Sequence, residues 1–481
     1  MLTPLVLALS TLVASPDDPA PADRAVAFVE ALNSGDAKRI AQAIVDHFER
    51  APATVEAALP RAQGFVAMHE RMGEFEVRKV EEKGAGNVSV LGVSKKSGEW
   101  TDFQFMVGAR PPGKMKGIFL AQATAPVELP KSAIDDPATL AWLREHVRAL
   151  EANEGFSGAV LVAKGGKTLF SAAAGMADRE AGVANTLETR FNLGSGNKMF
   201  TAIAIARLEN EGKLRFGDTI ERHLPDWPNP EVAKKVTIRD LLTHTSGIPE
   251  YWTADYAKAR TSIKTAEGIL PFFVSKPLEF EPGSRFSYSN SGFIVLGFIV
   301  EKASGRDYFD YVRETVYTPA GMTASDTYPH DGSAKNLAVA YTDEGADGNP
   351  ERGAWKRREL TGRGSAAGGG YSTVGDVLLF DRALRGGKLL PAAKTEELLR
   401  GKVDMSPSGG ERYAFGIIES TRNGVRSVGH GGTAPGCFFE YRAYPDSDVV
   451  LVVFANHDSA ASMDLFNRLR DIVERNATLR K

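Results

Sequence analysis

FNLGSGNKMFTAIAIARLENEGKL, residues 191–214, is the densest signal in the chain. Ser195 and Lys198 stand as Ser-x-x-Lys, and a helix follows at once. Phe200, Ile203, Ala204 and Leu208 recur at helical spacing, and Gly212 ends the run. Residues three apart share a helix face, so Lys198 reaches the Ser195 hydroxyl without any loop bending. The helix N-terminus adds exposed N–H groups and positive potential, which favour a developing oxyanion. A serine hydroxyl is a weak nucleophile until a base takes its proton. A lysine can be that base only when neutral, so burial or a neighbouring cation must lower its pKa. Taken alone, the same residues also read as a helix cap and a solvated lysine.

Three further segments change that weighting. Tyr288-Ser289-Asn290 stands directly before the apolar helix that contains FIVLGFIV (293–300). LLTHTSGIP (241–249) is turn-rich and follows a short helix. SVGHGGTAPG (427–436) puts His430-Gly431-Gly432 at the end of a strand, where two glycines are expected to let a substrate backbone approach closely.

In this order, Ser195-x-x-Lys198, Tyr288-x-Asn290 and His430-Gly-Gly432 resemble the motifs of the serine β-lactamase-related hydrolases, nearest the branch of class C β-lactamases, D-alanyl-D-alanine carboxypeptidases and esterases. LLTHTSG and SAAGGGYSTVGDVLLF (365–380) match recurring segments of that family. The resemblance implies an acylated nucleophile at Ser195, activated by Lys198, with Tyr288 as general base or acid. It implies that Asn290 bonds Lys198 or the acyl side chain, and that Ser195 N–H and Thr433 N–H form the oxyanion hole beyond Gly432. A lysine beside the tyrosine is expected to lower the phenol's pKa. One departure stands out: β-lactamases begin the third motif with lysine, and here His430 takes that position. An imidazole is a poorer partner for a β-lactam carboxylate than an ammonium, which favours an esterase or peptidase/amidase.

Around these motifs the pattern reads α+β. SGAVLVAKGGKTLFSAAAG (157–175) is a hairpin turning at Gly165-Gly166. Three more strands are expected near 424–430, 438–444 and 448–455, and a closing helix carries Met463, Phe466, Leu469, Ile472 and Val473. These join into one antiparallel sheet flanked by helices, with a mostly helical middle over 190–420. This β-lactamase/transpeptidase-like domain is expected over 137–481, with loops 250–280 and 326–365 shaping the pocket.

Upstream lies a second, smaller α+β unit, 20–122. Ala25, Phe28, Val29 and Leu32 give one helix, Asp36 caps a second, and a third covers about 54–72. The period then falls to two through Phe75, Val88, Val90, Phe103, Phe105 and Ile118, with turns at Gly84–Gly86, Ser97-Gly98 and Pro111–Gly113. By element order this unit resembles a nuclear-transport-factor-2-like or cystatin-like cone. Residues 123–136, with prolines and acids but no periodicity, read as a linker.

The 481 residues carry 58 basic and 61 acidic side chains, so the net charge is −3. That balance gives no electrostatic reason to bind nucleic acid. The single cysteine, Cys437, excludes an intramolecular disulfide and is expected to be a buried small hydrophobe. LTPLVLALSTLVA (2–14) is too short to span a bilayer and ends in small residues before a Pro- and Asp-rich stretch. Residues 1–15 therefore read as a signal peptide, and the protein as periplasmic or secreted without a membrane span. There is no Gly-x-Ser-x-Gly, no His-Glu-x-x-His and no phosphate-binding loop, so no metal or organic cofactor is implied. The expected substrate is a small ester, amide or peptide. Alternatives are a true β-lactamase or D,D-carboxypeptidase, and a non-catalytic binding protein of the same fold.

Overall fold

A computed structural model describes residues 19–83, 87–108, 113–330, 333–342, 355–358, 362–406 and 409–478. The expected signal peptide, the turns at Gly84–Gly86 and Pro111-Pro112, and much of the loop 326–365 lie outside the described residues. The chain divides into two compact units, Met1–Val127 and Glu128–Lys481.

In the first unit, helices Pro21–Asn33, Ala37–His47 and Val55–Met72 precede four strands, Phe75–Lys83, Asn87–Ser94, Trp100–Val107 and Met115–Ala123. Local chemistry sets the helix starts: Asp36 accepts from Arg39 N at 2.8 Å, and Thr54 accepts from Ala57 N. The strands pair antiparallel in sequence order. Alternation sends Val88, Val90, Phe103 and Phe105 into the core. There Phe28 meets Phe48, Phe65 and Phe105 edge to face, with centroids 5.1–5.9 Å apart.

In the second unit, the described residues form an eight-stranded antiparallel sheet. From one edge to the other its strands are Val403–Asp404, Glu411–Tyr413, Ile418–Arg422, Val425–Ala434, Cys437–Tyr444, Val449–Ala455, Gly158–Lys164 and Lys167–Ala174. The first three were not expected; at two to five residues they are too short to show a period. The strand carrying His430 does not stop there but runs to Ala434. Gly431 and Gly432 pair with Glu440 and Phe439, so glycines that read as a break are part of the ladder.

Both faces of this sheet are covered. Along Val449–Ala455, Leu451 and Val453 pack with Leu143 and Val147 of helix Pro137–Ala149 and with Leu465, Phe466 and Leu469 of the C-terminal helix, Ala460–Thr478. Val450, Val452 and Phe454 face a larger cluster that includes helices Lys198–Asn210 and Asn290–Ser304. The apolar run 293–300 is a core helix segment. Among the described residues, no helix is long and apolar enough to cross a membrane.

Candidate active site

Ser195 lies in a single 3-10 turn, Gly194–Asn197, and Lys198 opens the helix that runs to Asn210. A 3-10 turn eclipses positions three apart, which brings Lys198 Nζ 3.1 Å from Ser195 Oγ. Gly196 is a packing requirement, because a Cβ there would fall 2.3 Å from the Phe439 ring. Lys198 has no exposed surface. Its amine also bonds Asn290 Oδ1 at 2.7 Å and the Ala367 carbonyl at 2.5 Å. Burial lowers its pKa to about 7, while the charge of Glu250 works in the opposite direction. A neutral amine has two N–H bonds, and two carbonyl oxygens take them. The lone pair is then left for the Ser195 hydroxyl, which donates to it.

Three successive carbonyls fix the register of this helix. Asn197 donates to Ser365 O at 2.7 Å, Lys198 to Ala367 O, and Thr201 to Ala366 O at 2.7 Å. The glycines that follow allow the approach: a Cβ at Gly370 would stand 2.4 Å from Asn197 Oδ1, and one at Gly368 would stand 3.0 Å from Gly194 O. The stretch flagged in the sequence as SAAGGGYS therefore forms one wall around the lysine.

Tyr288 precedes helix Asn290–Ser304, which Ser289 caps by accepting from Gly292 N at 3.1 Å. Lys198 Nζ lies 4.9 Å from the Tyr288 ring centroid. Although 37% of Tyr288 is exposed, desolvation pushes its phenol well above the ordinary range, and a hydrogen bond with Ser195 offsets only part of this. The expected lowering by Lys198 does not occur: the lysine itself loses its proton near neutrality, and burial dominates at the phenol. Tyr288 is held as a neutral phenol, a donor rather than a phenolate base.

Two residues that the sequence reading gave no role hold this segment. His244 is fully buried with φ +56°, a left-handed conformation rare outside glycine. Its carbonyl accepts from Ser287 N at 2.8 Å and its Nδ1 from Ser289 N at 3.0 Å, and its ring packs 4.1 Å from that of Tyr288. Burial keeps this imidazole neutral. Glu250 takes the other side. Its Oε2 accepts from Asn290 N at 2.7 Å and Asn290 Nδ2 at 3.1 Å, and its Oε1 accepts from Tyr251 N at 2.9 Å and Ser291 Oγ at 3.3 Å.

The third motif closes the site through its backbone. A Cβ at Gly432 would lie 2.1 Å from Leu193 O and 2.8 Å from Ser195 N, so glycine lets this strand press against the turn that carries Ser195. Thr433, the next residue, is exposed. At Gly431 a Cβ would meet only the end of a side chain, Glu440 Oε1 at 2.2 Å. His430 is buried, and both ring nitrogens are engaged: Tyr413 donates to Nε2 at 3.0 Å, and Nδ1 donates to Gly431 O at 2.5 Å. Burial lowers its pKa to about 3. At neutral pH it is therefore uncharged, and it offers no cation to a substrate carboxylate. Cys437 is buried, with its thiol donating to Asn192 O at 3.2 Å and pushed up to about 12 by burial. Ser195, Lys198, Tyr288 and Asn290 thus form one hydrogen-bonded group. Gly432 meets it through backbone, and the His430 ring contacts Tyr413.

A partly buried serine beside a fully buried lysine, with a tyrosine and an asparagine at a helix start, is the arrangement that the sequence motifs led one to expect. The Beta-lactamase family pattern matches residues 143–473, and the chain belongs to this family of serine hydrolases. It is 29% identical over 363 residues to "Penicillin-binding protein 4*" of Bacillus subtilis (strain 168), covering 70% of this chain and 79% of that one. The crystal structure of a penicillin binding protein from Bacillus halodurans is 33% identical, covers 69% of this chain and 99% of that one, and superposes with a TM-score of 0.61. EstCE1, a hydrolase with promiscuous acyltransferase activity, is 25% identical with a TM-score of 0.57, covering 70% of this chain and 98% of that one.

Proposed function

We propose that this protein is an exported serine hydrolase that cleaves small esters, amides or peptides through an acyl-enzyme on Ser195. The carrying observation is the buried, near-neutral Lys198 amine 3.1 Å from the Ser195 hydroxyl. In the proposed cycle, Ser195 Oγ attacks the substrate carbonyl carbon as its proton passes to Lys198 Nζ. The oxyanion is taken by the N–H groups of Ser195 and Thr433. The C–O or C–N bond then breaks, Tyr288 protonates the leaving group, and the Lys198 ammonium restores the phenol's proton. Water attacks the acyl carbon as its proton passes to Lys198; the C–Oγ bond then breaks, the Lys198 ammonium returns the proton to Oγ, and the acid leaves.

The uncharged His430 supports an ester or amide without an obligatory carboxylate ahead of a β-lactam. Kinship with penicillin-binding proteins supports a second reading, a D,D-carboxypeptidase or β-lactamase. The apolar, small-residue-terminated stretch 2–14 supports export. Labelling by a fluorophosphonate probe, parent against Ser195→Ala, tests the nucleophile, and equal labelling sinks the assignment. A panel of p-nitrophenyl esters, D-amino-acid amides and a chromogenic cephalosporin then separates the two substrate readings.

A further inference from the structure

A lysine base has to meet two demands. Its lone pair must point at the hydroxyl, and its proton affinity must match the working pH. The three partners of Lys198 Nζ address the first demand, but Asn290 is symmetric in shape: rotated half a turn, its carboxamide would offer Nδ2 to the lysine and lose the bond. Something must fix which end faces the amine.

Glu250 does this through a fork. Its Oε2 accepts from both the backbone N and the side-chain Nδ2 of Asn290, at 2.7 and 3.1 Å. A carboxylate accepts and cannot donate, so the amide nitrogen must face Glu250, and Oδ1 is left facing Lys198 at 2.7 Å. The carboxylate is itself held by Tyr251 N and Ser291 Oγ. The fork also sits at the N-terminus of helix Asn290–Ser304, where a negative charge is favoured.

We propose that Glu250 is the positioning residue of this site: it turns Asn290 so that Oδ1 faces the Lys198 amine, and it is the negative charge in the shell around that amine. The other titratable groups facing Lys198 come from three elements. They are Tyr288 before the 290–304 helix, His244 after the Ile238–Leu242 helix and His430 on the 425–434 strand. Burial keeps the two imidazoles neutral near neutrality, and the phenol, raised from an already high value, is neutral as well. Glu250 is thus the charge that offsets desolvation of the ammonium and stops the lysine's pKa falling below about 7.

This inference rests on the proposed role of Lys198 as base. Its test is the rate of fluorophosphonate capture at Ser195 between about pH 5 and 9, for the full-length parent, Glu250→Gln, Glu250→Asp and Glu250→Ala, with melting temperatures alongside. In Glu250→Gln the carbonyl oxygen can still accept from Asn290 while the charge is gone. Its acid limb is expected to fall from about 7 by roughly half a unit to one unit, the Coulomb effect of one charge across the intervening amide. Relative to its own plateau, the variant would be about 3–5-fold faster than the parent at pH 6, a gain that a merely structural role does not produce. Glu250→Ala frees the amide and lowers the plateau about 10–100-fold. Glu250→Asp restores the position of the acid limb. If the Gln and parent limbs superimpose while both proteins are folded, the proposal is overturned. If the parent shows no capture at Ser195, the proposed function fails. Titration of the Lys198 13Cε resonance then decides Glu250 separately: a lower midpoint in Glu250→Gln upholds its role, and equal midpoints overturn it.

Discussion

The two units use the same ingredients, helices on an antiparallel sheet, and spend their buried polarity differently. In the first, buried polar side chains are mainly hydroxyls, Ser89, Ser94 and Thr101, together with Arg24, which donates to Pro19 O. In the second, groups that carry formal charge in water have no exposed surface at all: Lys198, Asp381 and Glu474. Asp381 is compensated by Arg385 and Tyr441, and Glu474 by Arg422, Arg470 and Tyr444. Lys198 has two neutral carbonyls and a hydroxyl within bonding distance. Burying a cation without a direct ion pair costs stability, and that cost is what leaves the amine free to take a proton.

The sharpest way to break this contrast is at the reactive pair. Ser195→Ala is expected to abolish probe capture and to lower ester turnover by at least about 10³-fold, read by rate assay on the best panel substrate. Lys198→Met should cost a similar factor in turnover yet raise the melting temperature by about 2–5 °C at pH 6. The pH dependence has a definite sign. The lysine's pKa is about 7 folded against 10.5 ordinarily, so the burial penalty is full below about 7 and fades as pH rises toward 10.5. The stabilisation by Met should therefore shrink between pH 7 and 10, and a pH-independent gain would contradict the buried-cation account.

Gly432→Ala comes next. With Leu193 O at 2.1 Å from the new methyl, the strand or the nucleophile turn must shift, at a cost of about 1–3 kcal/mol and 10-fold or more in turnover. Chemical denaturation and kinetics on the same sample check both. The smallest expected effect on chemistry comes from the other unit. Phe28→Ala removes the centre of its aromatic cluster and should destabilise that unit by about 3–5 kcal/mol, while ester turnover stays within about twofold below its melting point. A matching loss of turnover would show that the first unit takes part in catalysis.

Residues that act through their own side chains were legible in the sequence. Ser195, Lys198, Tyr288 and Asn290 fall together as their order implied. Both helical units and the long strands followed from apolar period and turn residues. What sequence hid acts through backbone or through fold. The 365–367 carbonyls that bind Asn197, Lys198 and Thr201 carry no side-chain signature. His244 owes its role to a left-handed backbone, and Glu250 lies 40 residues from the asparagine it orients. The Tyr288 acidity was misjudged because burial, which sequence does not display, outweighs the neighbouring amine.

The glycine at 431 has a consequence for how such a strand can change over evolutionary time. Any side chain introduced at 431 brings its Cβ to 2.2 Å from Glu440 Oε1 on the neighbouring strand. Glu440 is partly buried, its carboxyl pKa raised by desolvation, and Arg442 stands 3.9 Å away. Position 431 and the Glu440 side chain are therefore coupled by contact across the two strands. A side chain gained at 431 has only to move that carboxylate aside, whereas one gained at 432 meets the backbone of Leu193 and Ser195, so the strand accommodates change at its first glycine more readily than at its second.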